Sequence, residues 1–462
     1  MNPAQAVAQP EPLHQKLREQ GECPINKKLR RVLAGAGQGL LERELPLFLG
    51  VAAVLTGEHL LLLGPPGTAK SMLARRLLAA FGGQRYFERL LTQFTVPEEV
   101  FGPLSLRALE QDRYERLVEG YLPTAELVFL DELFKANSAI LNALLSALNE
   151  RVFDNGGVRL HLPLLAVVGA SNELPELETL AALYDRFLLR VFVRPVSEQA
   201  FRALLELEEQ TPSEIEHLSP AELEAIGQRL GQVRLSEACL QWLQTLRAYC
   251  RRSGLEVSDR RWRKARSILQ FVAYFEGREQ VELEDTLVLP YCLAGREETL
   301  HRLRRFSLRA LLPYPSVTLR ERVERFAAGG RDEVQTTLVM ELEAERQAFR
   351  EGWEKLRAQR HNPVLQADDG LCAGYRARER AFDRLFGALR AAPRLVDKPK
   401  VHPMVVGSFS APRRGVKGQT LAPFVSASSK EQVGTEDSRR PFSPDDEPAI
   451  SLQSLCRLSR SG

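Results

Sequence analysis

Leu60-Leu61-Leu62-Leu63-Gly64-Pro65-Pro66-Gly67-Thr68-Ala69-Lys70-Ser71 is the stretch that decides the fold. Four leucines run into a Gly/Pro turn, and a lysine and a hydroxyl then open an amphipathic run at Leu73, Ala74, Leu77, Leu78 and Phe81. The pattern predicts a buried strand, a phosphate-cradling loop and a helix. Gly64 and Gly67 let the backbone turn tightly and aim its N–H groups inward. The helix adds its partly positive N-terminus. Lys70 is placed to reach the β- and γ-phosphates of a nucleotide, and Ser71 to hold Mg²⁺. Ala69 stands where G-x-x-x-x-G-K-[ST] has its last glycine, and an ordinary φ at the helix start would tolerate its methyl. A plain turn between strand and helix is the simpler alternative for this stretch alone.

Leu127-Val128-Phe129-Leu130-Asp131-Glu132 is the second decisive stretch. A continuous apolar strand suits a sheet covered on both faces. Its two carboxylates fall at the strand's C-terminal end, where open α/β sheets bind ligands. Asp131 is expected to hold Mg²⁺, and Glu132 to orient and activate the water that attacks the γ-phosphate. An acidic cap on the next helix is the alternative. Leu164 to Val168 leads to Gly169-Ala170-Ser171-Asn172-Glu173, where the Asn172 amide is suited to a γ-phosphate or the attacking water. Strands near Leu60, Tyr86, Leu127, Leu164 and Leu188, alternating with helices, imply a five-stranded parallel sheet.

Between these stretches lie a long connection around Phe94 to Leu104 and a hairpin over 150–161 with Asn155-Gly156 as its turn signal. Leu45 to Leu55 reads as an apolar helix, packed either beside a nucleotide base or simply in the core. Beyond Pro195 helical periodicity dominates. Ser258 is an N-cap signal, and Arg260 and Arg261 in the first turn oppose the helix dipole, which suggests an external anion or solvated surface arginines. Two helical runs over 301–395, broken at 361–371, suggest a projecting hairpin or a packed bundle. The expected organisation is a loose arm over 1–26, a nucleotide-binding core over 27–195, a helical lid over 196–300, the helical arm over 301–395 and a disordered tail over 396–462. Leu452 to Leu458 within the tail is a short candidate docking segment.

The 462 residues, 44% hydrophobic and 27% charged with net charge +3, describe a soluble chain with a sizeable core. Near-neutral charge argues against a nucleic-acid motor. No apolar run reaches the ~20 residues that span a bilayer. The cysteines at 23, 239, 250, 292, 372 and 456 show no metal spacing, so a reduced, cytoplasmic protein is expected.

Several segments together resemble the MoxR family of AAA+ ATPases, in particular its RavA-like branch. The likeness rests on Gly64 to Ser71, Pro97-Glu98-Glu99-Val100-Phe101-Gly102-Pro103-Leu104, Gly120-Tyr121-Leu122-Pro123, Asp131-Glu132-Leu133-Phe134-Lys135-Ala136-Asn137, Leu148-Asn149-Glu150-Arg151, Ala170 to Glu173 and Ser258 to Arg261. It covers about residues 25–300. It implies an AAA+ P-loop core with a helical lid, assembled as a homohexameric ring with ATP and Mg²⁺ at subunit boundaries. By the same likeness Asn172 is sensor 1, and Arg186 is the arginine finger acting on the neighbour's ATP. Arg260 is sensor 2, with Arg261 an adjacent alternative; whether Arg151 shares the finger role is open. Residues 103–119 and 151–161 would face the pore. Family members work with von Willebrand factor A-domain partners in chaperone-like remodelling, complex maturation or metal insertion. RavA-like proteins can carry a small β-rich domain within their C-terminal helices, for which 361–371 leaves no room. A slow, nucleotide-gated binding scaffold is the competing function. The client is not legible in the residues.

Overall fold

The computed structural model describes residues 23–82, 85–174, 178–207, 216–312, 314–330, 334–359, 362–366 and 369–392. Most of the expected N-terminal arm, the tail over 396–462 and its Leu452–Leu458 segment lie outside these residues.

Seven strands fall where the apolar runs predict: β1 Leu60–Leu63, β2 Tyr86–Leu90, β3 Leu127–Asp131, β4 Val152–Asn155, β5 Val158–His161, β6 Ala166–Ser171 and β7 Leu189–Phe192. Five form one sheet in the order β2-β3-β6-β1-β7, every neighbouring pair parallel. All four leucines of β1 are buried because helices cover both faces of the sheet. In the register, Leu63 lies opposite both Ser171 and Phe192, and Leu90 opposite Asp131. The C-terminal ends of β1, β3 and β6 therefore meet on one edge. β1 pairs with strands from late in the chain while β2 and β3 lie beyond β6, so a ligand crevice opens at that edge.

α1 (Pro24–Gly37) and α2 (Glu44–Thr56) precede the first strand. Pro46 to Val54 of α2 is buried on every side, as a helix apolar all round must be. Phe48 meets Phe271 and Phe275 with ring centroids 5.2 and 5.0 Å apart, so α2 is a core helix clamped by helical segments from much later in the chain. α3 (Lys70–Ala79), α4 (Ser138–Glu150) and α5 (Glu178–Arg186) complete the layers. β4 and β5 form the hairpin, but its two-residue loop is Gly156-Gly157, both with φ > 0 (61° and 88°). Asn155 instead uses its side chain to grip Arg116, accepting from its N–H at 2.7 Å and donating to its carbonyl at 3.1 Å. A Cβ on Gly156 would lie 2.4 Å from the Tyr114 carbonyl, so hairpin and preceding insertion pack as one piece.

The lid contains α6 (Asp259–Phe275) and α7 (Glu297–Leu311), preceded by helices Pro220–Gln232 and Glu237–Arg252. Ser219, Ser236 and Ser258 each accept an N–H from their first turn. Phe306 of α7 stacks on Tyr249 and Trp242, with centroids 3.7 and 5.4 Å away, so the lid extends past residue 300. α8 (Gln335–Ala358) and α9 (Asp369–Ala391) are two further helices, and the buried rings of Phe349 and Phe382 meet with centroids 5.6 Å apart. The described residues divide into two compact units, 23–315 with Glu341–Asp383, and Ser316–Met340 with 384–392. That division cuts through 301–395 instead of setting it apart as one arm.

Candidate nucleotide site

Between β1 and α3 the loop follows the expected path, with one correction. Gly64 has φ 154° and Gly67 φ 79°. A Cβ on Gly64 would fall 2.1 Å from the Val193 carbonyl, so only glycine fits there. Ala69 does not take the ordinary φ expected of it: it caps α3 in the left-handed region, φ 63° and ψ 26°. The methyl is accommodated at a cost of ~1–2 kcal/mol, which the usual glycine would avoid. Thr68 Oγ1 closes the turn by donating to the Pro65 carbonyl at 2.9 Å.

Five residues named from three separate stretches of sequence converge here. Lys70 Nζ donates to the Gly64 and Pro65 carbonyls at 2.7 and 2.9 Å, and to Asn172 Oδ1 at 2.6 Å. Burial pushes the Lys70 ammonium below the usual lysine range, opposed by Asp131 and Glu132. Asn172 Nδ2 in turn donates to Glu132 Oε1. Because Lys70 only donates and a carboxylate only accepts, this amide orientation alone satisfies both partners. Ser71 Oγ donates to Asp131 Oδ2 at 2.7 Å, and Asp131 Oδ1 accepts the Glu132 N–H at 3.0 Å. Glu132 itself is left-handed, φ 52°, and its carboxylate also lies 3.3 Å from Lys135 Nζ. Left-handed backbone at a non-glycine residue persists where surrounding bonds over-determine it. Here those bonds aim the carboxylate into the crevice.

The arginines expected to act on the nucleotide lie elsewhere. Arg186 ends α5, three residues before Leu189, which pairs with Leu60 at the start of β1. That is the sheet's other edge, a strand length from this chain's own loop. Arg186 is half-buried, and its Nε has no hydrogen-bond partner among the described residues. Burial and then neighbouring Arg260 hold its pKa below the usual arginine range, with Asp185 opposing. Arg260 stands in the first turn of α6 beside Arg261 and bears electrostatically on His59, the residue before β1.

Arg261 differs. It is buried, and its guanidinium donates to the carbonyls of Leu188, Cys292 and Phe187 at 3.0, 2.6 and 3.0 Å and to Asp185 Oδ1 at 3.2 Å. It fastens α6 to the start of β7. Arg190, pushed down to about 9 by burial and by Arg261, lies over Tyr184 with 3.9 Å from its guanidinium carbon to the ring centroid. Arg151 is likewise engaged, donating to the Gly57 carbonyl at 2.7 Å.

Two residues that no motif marked are also built into this frame. His59 is fully buried; its Nε2 lies 3.1 Å from the Leu148 carbonyl, and its Nδ1 accepts the Val167 N–H at 3.1 Å. Nδ1 is therefore the bare nitrogen, and burial lowers the imidazole pKa to about 3. Arg43, before α2, reaches the carbonyls of Thr68 and Arg194. The only sequence signal was the charged trio Glu42-Arg43-Glu44 ahead of an apolar helix.

A lysine in a glycine-turned loop, a hydroxyl and carboxylate in contact, and a glutamate and asparagine beside them define a P-loop nucleotide-binding domain with a helical lid. The description "MoxR domain in the MoxR-vWA-beta-propeller ternary systems" matches residues 27–228, and an AAA lid domain matches 238–306. Two uncharacterised proteins of Methanocaldococcus jannaschii are each 40% identical to this chain, over 267 and 269 residues, covering 57% of it and 70% of each relative. A structural protein of Acidianus two-tailed virus is 28% identical over 185 residues, 37% of this chain and 29% of that one. The solved structure of a candidate ATPase from Cytophaga hutchinsonii shares the fold, with TM-score 0.52 and 17% identity, over 64% of this chain and 98% of that one. The chain belongs to the MoxR family of AAA+ ATPases. Among the described residues no helix is long and apolar enough to cross a membrane.

Proposed function

We propose that this chain hydrolyses ATP with Mg²⁺ at the crevice formed by Gly64 to Ser71, Asp131, Glu132 and Asn172. The observation that carries the reading is the convergence of Lys70, Asn172 and Glu132 on one side of the loop, with Ser71 and Asp131 in contact on the other. The residues fit the ion: a hydroxyl and a carboxylate already share one hydrogen bond, and oxygen donors are what Mg²⁺ takes. When bound there, Mg²⁺ neutralises phosphate charge. Gly64, Pro65, Pro66, Gly67, Thr68 and Ala69 supply the backbone cradle. Lys70 exchanges neutral carbonyl partners for phosphate oxygens, a stronger charge-assisted bond. Glu132 accepts a proton from the attacking water and Asn172 orients that water.

Arg186 precedes β7 at the end of β1 opposite the loop, and Arg260 opens a lid helix, so this reading assigns neither to this chain's own phosphates. In the proposed ring, most simply a homohexamer, both reach the nucleotide of the neighbouring subunit, Arg186 as finger and Arg260 as sensor. An arginine finger is worth ~10³–10⁵ in rate in other NTPases. The cycle drives chaperone-like remodelling or maturation of a protein complex in the cytoplasm. The matched domain is described from ternary systems with a vWA protein, which supports a von Willebrand factor A-domain partner. RavA-like membership rests on motif content alone.

The deciding experiment is Glu132→Gln. Titration calorimetry should find MgATP binding retained, while steady-state turnover falls at least about 100-fold, as loss of a general base does. Hydrolysis at the parent rate would overturn the assignment.

A further inference from the structure

Arg43 takes no part in the chemistry proposed above, yet it touches the loop where that chemistry sits. Its side chain is only 6% exposed. It makes three hydrogen bonds, all to backbone carbonyls: Nε to Thr68 at 3.3 Å, Nη2 to Arg194 at 2.8 Å and Nη1 to Glu42 at 2.8 Å. Thr68 is the residue between Gly67 and Ala69, both left-handed. Its carbonyl is thus at the most contorted point of the loop, and a guanidinium holds it from behind.

The second anchor leads to the lid. Arg194 follows β7, where the Val193 N–H donates to the Leu63 carbonyl at 2.6 Å. Its own side chain donates from Nε to Glu297 at 2.7 Å, and Nη2 lies 3.0 Å from His301 Nε2, both partners on α7. Glu42 completes the frame by accepting the Ser197 N–H at 2.8 Å. One planar fork therefore spans the phosphate loop, the exit of β7 and the start of α2. Only a guanidinium can do this; an ammonium is a point donor without the span or the fixed geometry.

We infer that Arg43 is a positioning residue: it sets the shape of the phosphate loop and links that shape, through Arg194, to the lid. The inference rests on the nucleotide reading of the site. A loop held in shape serves bound ATP and its transition state alike. Loss of Arg43 should therefore weaken binding and leave the chemical step nearly intact.

The test uses the full chain. MgATP affinity is measured by calorimetry in a Glu132→Gln background, and KM and kcat in the parent background, for Arg43→Gln and Arg43→Lys. Both variants should raise Kd and KM about tenfold, the scale of one lost charge-assisted hydrogen bond, with kcat changed less than about threefold. Retained charge in the lysine variant should not restore affinity. Glu297→Gln should give a smaller rise, less than additive with Arg43→Gln. Affinity within about twofold of the parent in both Arg43 variants, or a loss confined to kcat, would overturn the proposal. If Arg43→Gln does not fold, Arg43→Lys decides alone. No binding heat in the chain carrying native Arg43, indistinguishable from a Lys70→Ala control, would sink the nucleotide reading first and this inference with it.

Discussion

The two edges of the central sheet are built from similar residues to opposite ends. At the C-terminal edge Lys70, Ser71, Asp131, Glu132 and Asn172 bond mainly to one another and to a loop whose glycines hold it open. At the N-terminal edge the polar groups are mostly spent on backbone carbonyls: His59 on Leu148, Arg151 on Gly57, Arg261 on four carbonyls at once. Arg186 is an exception, with a buried Nε that has no partner among the described residues; the Nε of Arg190 is also unpartnered, but its Nη atoms donate to the Ala294 and Tyr184 carbonyls. The contrast separates arginines that hold a fold from those available to a ligand. Arg260 and Arg261 are adjacent in sequence, yet one is sunk into carbonyls and the other stands beside Arg186.

The sharpest way to break this contrast is Arg186→Ala. The expected loss is about 10³-fold or more in ATP turnover with an unchanged unfolding midpoint, because its buried Nε has no hydrogen-bond partner among the described residues. Mixing that variant with Glu132→Gln chains should recover part of the activity; verified mixed rings with none would argue against action across a boundary. Arg261→Ala should do the reverse at smaller scale. Leaving several buried carbonyls unpaired should cost about 3 kcal/mol of stability in denaturant titration, with the loss of activity following the folded fraction.

His59 sharpens the comparison through pH. Its folded pKa of about 3 lies below the ordinary value of 6.5, so between those limits the unfolded chain binds a proton that the folded chain refuses. Its contribution is fully present above pH 6.5 and declines as pH falls, by ~1.4 kcal/mol per unit. His59→Gln, which can keep one donor and one acceptor, should flatten the fall in unfolding free energy between pH 6.5 and 5. The smallest effect is Ala69→Gly. Relief of left-handed strain, ~1–2 kcal/mol, is offset by ~0.5–1 kcal/mol of extra chain entropy. A gain of up to about 1.5 kcal/mol should appear in thermal unfolding, and a loss would mean the methyl packs usefully.

Much of the fold and of the C-terminal edge was legible because its signals are local. The leucine run into Gly64, the acidic pair after Leu130, and the serines before the lid helices each declare strand, loop or cap within a few residues. Both Glu132 and Asn172 were legible as polar groups at strand ends of one sheet, but the hydrogen bond between them was not. Local pattern misjudged conformation at two turns, one left-handed at a non-glycine residue and one built on a glycine pair. Ala69 looked like an ordinary helix start, and the turn named at Asn155-Gly156 sits one residue later.

The residues alone determined that a parallel sheet would carry a phosphate loop, a lysine, a hydroxyl and two carboxylates to one edge, since periodicity and strand ends are properties of short segments. Tertiary structure alone decided which of two neighbouring arginines is buried, that Arg43 braces the loop from behind, that His59 is a neutral strut, and that residues 341–383 group with the nucleotide domain. Those outcomes depend on side chains meeting backbone carbonyls from distant parts of the chain. A carbonyl is the same in every residue, so no sequence pattern records which one will be met.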